Sequence, residues 1–178
     1  MTKFVLTFGA IAGIIVCVLM MATRPIWIGE NGEMDMQLGE VLGYISMIVA
    51  LSMIFFGVRS FRDNHLGGAI SFGKAFQTGL LITLVASAIY VVGWMFYYNA
   101  SEEARQFPEQ YMDYLIAELK KSDASQTEIA QKTEELIQFN ELYKKPLVRV
   151  GMTLMEIFPV GFVISLLSAF LLKNAKQE

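Results

Sequence analysis

One acidic residue stands inside an otherwise apolar stretch. Glu156 lies within the apolar residues 147–172, and Pro159 follows three residues later. A carboxylate in the hydrocarbon of a membrane costs at least ~2.5 kcal/mol, so such a residue is normally turned into a helix bundle and is often functional. Because a proline has no N–H to donate to the carbonyl four residues back, Met155 keeps a free acceptor beside the carboxyl group. We therefore take Glu156 and the Pro159 kink as the first candidate site.

Three polar residues are candidate partners of this carboxyl group. Arg149 lies about two helical turns before Glu156, and Thr83 and Ser87 lie in the preceding apolar segment. A proton or cation site at Glu156 would make the chain a small transporter or ion-conducting protein. The structural interpretation is a neutral, hydrogen-bonded carboxyl group that fixes helix packing. We favour packing, because ion-coupled carriers usually show more than one intramembrane charge or paired broken helices.

A second set of chemically capable side chains lies in the loop before the third apolar block. Arg59, Arg62, His65 and Lys74 form this group, and they are the only basis for a membrane enzyme acting on a lipid-linked substrate. His65 is the sole histidine, and a metal site needs more ligands of suitable type. A solvated loop histidine is the simpler interpretation. We predict no catalytic residue, no metal site and no cofactor.

Residues 68–75 nearly spell a phosphate-binding P-loop. The pattern needs a Ser or Thr hydroxyl after the lysine to hold magnesium, and here that position is Ala75. No strand precedes the loop. A structural role is simpler, in which Gly67 and its neighbour turn the chain, Ser71 caps the third helix and Lys74 anchors that helix at the headgroups.

Four long apolar blocks must position these residues. They cover about residues 4–22, 41–58, 75–98 and 147–172, and about 20 helical residues cross a hydrocarbon core of ~30 Å. Strand-like alternation, which a membrane barrel needs, is missing. The chain is 54% hydrophobic and carries a net charge of -3, which argues against nucleic-acid binding. We predict an all-α, polytopic membrane protein with four transmembrane helices in a single domain.

The distribution of basic residues predicts the orientation. Lys and Arg are in excess in the loop 59–74 and at both ends of the chain, where Lys176 contributes, whereas the loops 23–40 and 99–146 are net acidic, with Glu30 in the first. Basic loops stay on the cytoplasmic side. Both termini should therefore be cytoplasmic, with loop 99–146 outside.

The loop 99–146 is the largest water-facing segment. Apolar positions after Pro108 fall on one helical face, and Ser125 with Glu128 fits a capping box, so we predict an extracytoplasmic helical hairpin joined at residues 122–125. Its simpler role is a spacer that lets the fourth helix return. The alternative is a docking surface for a protein partner.

Small residues recur at four-residue spacing in the first and fourth blocks, as Gly9 with Gly13 and Gly161 with Ser165. Such spacing lets helices approach closely. We favour packing within the bundle over homodimerisation, because this spacing is common in membrane helices.

Two stretches resemble a known family. Residues 70–76, ISFGKAF, continue into TGLL at 78–81, and residues 156–161 read EIFPVG. Together they are similar to the bacterial domain-of-unknown-function family numbered 4199, over essentially the whole chain. The resemblance implies a four-span protein of the bacterial cytoplasmic membrane, and it implies neither an activity nor site residues.

These observations favour a non-enzymatic accessory or scaffolding component of the membrane that works through protein contacts. The alternatives are the small transporter built on Glu156 and, more weakly, the membrane enzyme.

Overall fold

The protein is all-helical in the part of the chain that the structure, a computed structural model, describes, namely residues 1–29 and 33–174. These residues form no β-strand beyond two isolated bridges. The helices are α1 Thr2–Trp27, α2 Met36–Leu51, α3 Met53–His65, α4 Phe72–Ala100, α5 Glu102–Lys121, α6 Gln126–Tyr143 and α7 Pro146–Leu172. Two charges of the orientation argument, Glu30 and Lys176, lie outside the described residues.

Four helical segments are long and apolar enough to cross a membrane, as predicted. They are Thr2–Trp27, Met36–His65, Phe72–Ala100 and Pro146–Leu172. Each extends beyond the apolar block that predicted it, because polar residues at the ends continue the helix outside the hydrocarbon. The second segment is interrupted at Ser52, whose hydroxyl donates to the Val49 carbonyl at 2.6 Å. A serine that bonds back to its own helix locally bends it, so α2 and α3 form one span with a break.

The chain divides into two compact units, of which the first comprises Met1–Gly93 and Leu154–Glu178. Glycines allow its helices to approach closely. A Cβ built at Gly9 would lie 2.6 Å from the Val85 Cβ, and a Cβ built at Gly161 would overlap Thr83. Such distances force a shift of the backbone or the neighbour. The small residues at these positions thus pack α1 and α7 against α4 within one chain, as the packing hypothesis predicts.

The second unit, Trp94–Thr153, contains the paired helices α5 and α6. The predicted capping box is confirmed, since the Ser125 hydroxyl accepts from the Glu128 N–H and the Glu128 carboxylate accepts from the Ser125 N–H. These hydrogen bonds from the Ser125 backbone and side chain hold the pKa of Glu128 below its usual value. Helix α5 starts six residues before Pro108, because the Ser101 side chain caps the Ala104 N–H at 3.3 Å.

Candidate functional site

Glu156 lies on α7, and its hydrogen-bond partner is Tyr90 of α4. The Tyr90 hydroxyl donates to the Glu156 carboxylate, and the Tyr90 side chain is otherwise buried in the helix packing. Glu156 itself is exposed on the surface of the bundle, as is Pro159 one turn later. The carboxyl group thus bonds across to α4, as the packing interpretation expects, although much of the residue remains on the outward surface of α7. Small residues and a buried isoleucine occupy the inward face of α7, which leaves Glu156 on the outward face.

Thr83 and Ser87, the predicted partners of Glu156, are buried in the helix packing. The hydroxyls of Thr83 and Ser165 are 2.9 Å apart, and one of them donates to the other, which joins α4 to α7. The hydroxyl that accepts this bond donates its own proton to a carbonyl of its helix, which is Gly79 for Thr83 and Gly161 for Ser165. Ser87 is buried, and its hydroxyl has no hydrogen-bond partner among the described residues. The hydroxyls of Thr83 and Ser165 therefore stabilise helix packing, and Tyr90 is the partner of Glu156 that the sequence did not indicate.

Arg149 is buried in the second unit, with only 4% of its surface exposed. Its guanidinium carbon lies 3.5 Å from the centre of the Tyr98 ring, and Nη2 donates to the Lys144 carbonyl at 3.2 Å. Nε and Nη1 have no hydrogen-bond partner within the described part of the chain. A guanidinium stacked on an aromatic ring is held mainly by cation–π attraction. The contacts of Arg149 thus point to an anchor of the α7 start beside Tyr98.

The group of Arg59, Arg62, His65 and Lys74 does not converge on a common point. Arg62 donates to Asp63 at 2.7 Å and to the Leu172 carbonyl at 3.4 Å, and Arg59 lies 3.6 Å from the same aspartate. Lys74 is exposed. Both arginines therefore pair with Asp63 near the end of α3, and Arg62 also donates to the end of α7.

His65 is the last residue of α3 and is exposed, so it is solvated as expected but belongs to the helix and not to the loop. Its ring lies 4.5 Å from that of Phe4, edge to face, and 5.8 Å from that of Phe61. Such contacts use the ring as packing surface. Within residues 1–29 and 33–174, no three His, Cys, Asp or Glu residues are grouped so as to hold a metal ion.

The segment that resembles a P-loop is a turn held by the end of the chain. Gly67 and Gly68 have positive φ angles of 63° and 87°, which glycine adopts without strain. Ile70 then pairs with Asn174 through two backbone hydrogen bonds of 3.2 and 3.1 Å, and the Asn174 side chain donates to the Gly68 carbonyl at 2.9 Å. We call this contact the C-terminal latch. Its backbone groups are engaged with the chain itself, which fits the predicted structural role.

Helix α6 carries apolar side chains that the second unit leaves uncovered. Phe139 and Leu142 are 44% and 46% exposed, and Ile137 is similarly open. Phe139 and Leu142 are three residues apart, so they share one face of the helix. None of the α6 residues is fully buried. This face is a second candidate surface, besides the one around Glu156.

Comparison with known proteins gives a family without an activity. No curated protein matches the chain, and no solved structure matches it. The model of a family described as "protein of unknown function (DUF4199)" matches residues 7–174. That range includes all four candidate spans almost completely, together with α5 and α6. The apolar helices of this chain are those of a multi-pass membrane protein. By this match, the chain belongs to the DUF4199 family, whose function is unknown.

Proposed function

We propose that this protein is a non-enzymatic accessory or scaffolding component of a membrane, which works by contacting other proteins through α6. The observation that carries the proposal is the exposed apolar pair Phe139 and Leu142. An amphipathic helix normally turns its apolar stripe toward its own core. Apolar groups that remain exposed beside charged residues typically mark a contact with another molecule.

We place this protein in a bacterial cytoplasmic membrane, with both ends inside and with α5 and α6 outside. The support is the excess of Arg and Lys in the loop between α3 and α4, since basic loops remain in the cytoplasm. A cysteine introduced at Ser122, in a background with Cys17 replaced by Ala, tests this. It should react with an impermeant maleimide in intact cells, whereas one at Thr2 should react only after lysis. The reverse pattern would invert the orientation and place α6 in the cytosol.

The alternatives receive less support from the same structure. A conducting path would bring its ionisable group to the interior, and Glu156 lies on the outward face. A membrane enzyme would bring the basic loop residues together, and their contacts instead hold the ends of α3 and α7. Contact with proteins needs neither arrangement, and it uses the surface that α6 leaves open.

Site-specific photo-crosslinking tests the proposed contact. A photoreactive phenylalanine analogue is placed at Phe139 or at Leu142, and for control at Glu141, which is exposed and lies about 160° and 100° around the helix from these two positions. In intact cells we expect discrete protein adducts from the first two positions and few from the control. Adducts with lipid alone would show that this face rests on the membrane surface, and the hairpin would then be a spacer. Equal adducts from all three positions would also refute a specific contact.

A further inference from the structure

The outward face of α7 combines a carboxylate with apolar side chains. Glu156 is exposed there, flanked by Met155 on one side and by residues one and two turns further along the helix. Met155 is 69% exposed, so the bundle leaves this part of the helix open. We call this surface the acidic face of α7, and it consists of Met155, Glu156, Pro159, Val163 and Leu167.

The carboxylate lies deep within the span. Glu156 comes ten residues after Pro146, where α7 begins, and its partner Tyr90 comes ten residues before Ala100, where α4 ends. Ten helical residues rise about 15 Å. Because both helices extend beyond the hydrocarbon, the pair lies somewhat less than about 15 Å below its edge, which is well inside a bilayer core of ~30 Å. At that depth an ionised carboxylate is strongly disfavoured unless a partner compensates its charge.

The chain itself compensates this charge only in part. A carboxylate can accept about four hydrogen bonds, and the contact from Tyr90 accounts for one. Pro159 adds a further acceptor that needs a donor, because it has no N–H to donate to the Met155 carbonyl four residues earlier. The acidic face thus offers several acceptors at one depth, next to apolar side chains suited to helix packing. A basic side chain on a neighbouring helix would supply donors for them.

The chemistry of the face favours a basic partner over a second copy. In a two-fold symmetric contact centred on Glu156, this residue would meet its own copy, and two adjacent carboxylates disfavour each other's ionisation. A lysine or arginine on a neighbouring helix supplies both the opposite charge and the hydrogen-bond donors. Interhelical polar contacts of this kind stabilise association of helices in membranes.

We propose that the acidic face of α7 docks a membrane-spanning helix of another protein, which places a lysine or arginine opposite Glu156. This inference rests on the proposed role of the protein as a component that acts through protein contacts. It adds a contact inside the membrane to the contact through α6. The partner helix packs along Pro159 and Val163, and its basic side chain reaches the carboxylate.

Fluorescence energy transfer in vesicles tests the docking. The full-length protein, with a donor dye at Ser122→Cys in the Cys17→Ala background, is reconstituted in phosphatidylcholine vesicles. Leucine–alanine transmembrane peptides carry the acceptor dye and differ only at one central residue, which is Lys, Leu or Glu. We expect the Lys peptide to associate about 3- to 20-fold more tightly than the Leu peptide, the range that interhelical polar contacts span. Equal association of the Lys and Leu peptides would overturn the proposal.

Charge variants assign the effect to the carboxylate. Glu156→Gln should reduce association of the Lys peptide to the level of the Leu peptide. Glu156→Lys should lose the Lys peptide and gain the Glu peptide, a reversal that a misfolded protein would not show. If Glu156→Gln retains the preference for Lys, the proposal is wrong.

Two further outcomes separate this inference from other possibilities. Energy transfer between donor- and acceptor-labelled copies of the protein that depends on Glu156 would show a contact between copies and refute docking of a basic helix. The crosslinks from Phe139 do not depend on Glu156. If those crosslinks persist in cells while the peptide test fails, the acidic face is refuted and the proposed contact through α6 stands.

Discussion

Replacement of Gly161 by alanine should destabilise the bundle, because α7 packs closely against α4 at this glycine. An added Cβ would overlap the Thr83 Cγ2 atom and lie 2.9 Å from its Oγ1 atom. Thr83 is fully buried and bonded to Ser165, so it cannot move aside freely. Overpacking of this kind typically costs about 1–3 kcal/mol.

Gly151 provides a matched control on the same helix. A Cβ at Gly151 meets nothing within 4 Å, so Gly151→Ala should gain only the better helix propensity of alanine, up to about 1 kcal/mol in a soluble helix. Both variants share that gain. The difference between them therefore isolates the overlap at Gly161, and it corresponds to a factor of about 5 to 150 in the unfolding constant.

Reversible unfolding in mixed micelles, with increasing sodium dodecyl sulfate and detection by circular dichroism, measures this difference. The midpoint of Gly161→Ala should fall well below those of the wild type and of Gly151→Ala. Equal midpoints for the two alanine variants would show that α7 and α4 do not meet at this glycine, and the packing described for the first unit would be wrong.

The remaining predictions concern hydrogen bonds. Thr83→Val and Ser165→Ala, combined in a double-mutant cycle in the same micelles, should show a coupling of about 0.6 kcal/mol and at most ~1.7 kcal/mol; additive effects would contradict the bond between them. Ser125→Ala should cost about 1 kcal/mol of α6 stability, measured by amide hydrogen exchange. The folded-state pKa of Glu128 is lowered. The stabilisation of α6 by this carboxylate is therefore present above the unfolded-state pKa and is lost as the pH falls through the folded-state pKa. Over that pH interval, amide exchange in α6 should become faster in the wild type but not in Glu128→Gln. Asn174→Ala should speed exchange in the turn between α3 and α4, and unchanged exchange there would refute the C-terminal latch.

The number and type of the spans could be predicted because membrane insertion depends on apolar character summed over about 20 residues. The ends of the helices were harder to predict, because each end depends on a single capping residue. Helix α2 begins at Met36, five residues before the apolar block, because the Asp35 side chain accepts from the Leu38 N–H at 2.9 Å. The aspartate before the apolar run was a visible signal, and Gln37, Gly39 and Glu40, which interrupt the apolar residues after it, concealed the start.

The helix that carries Glu156 was predictable, but the direction of its side chain was not. Helix α7 is apolar on nearly all sides, so no stripe distinguishes its buried face from its open face. Which face packs is decided by Gly161 and Ser165, whose small size admits α4. Tyr90 was not among the candidate partners, although the hydroxyl of a buried tyrosine normally needs a hydrogen-bond partner.

The C-terminal latch has a consequence for biogenesis. Ile70 and Asn174, which it joins, are 104 residues apart, and ribosomes add about 5–20 residues per second. Roughly 5 to 20 s therefore pass between the synthesis of Ile70 and that of Asn174, its hydrogen-bond partner in the latch. During that interval the hydroxyls of Thr83 and Ser87 on α4 lack the cover that α7 later provides. The nascent chain therefore depends on the insertion machinery or on neighbouring lipids to shield these groups until α7 has been synthesised.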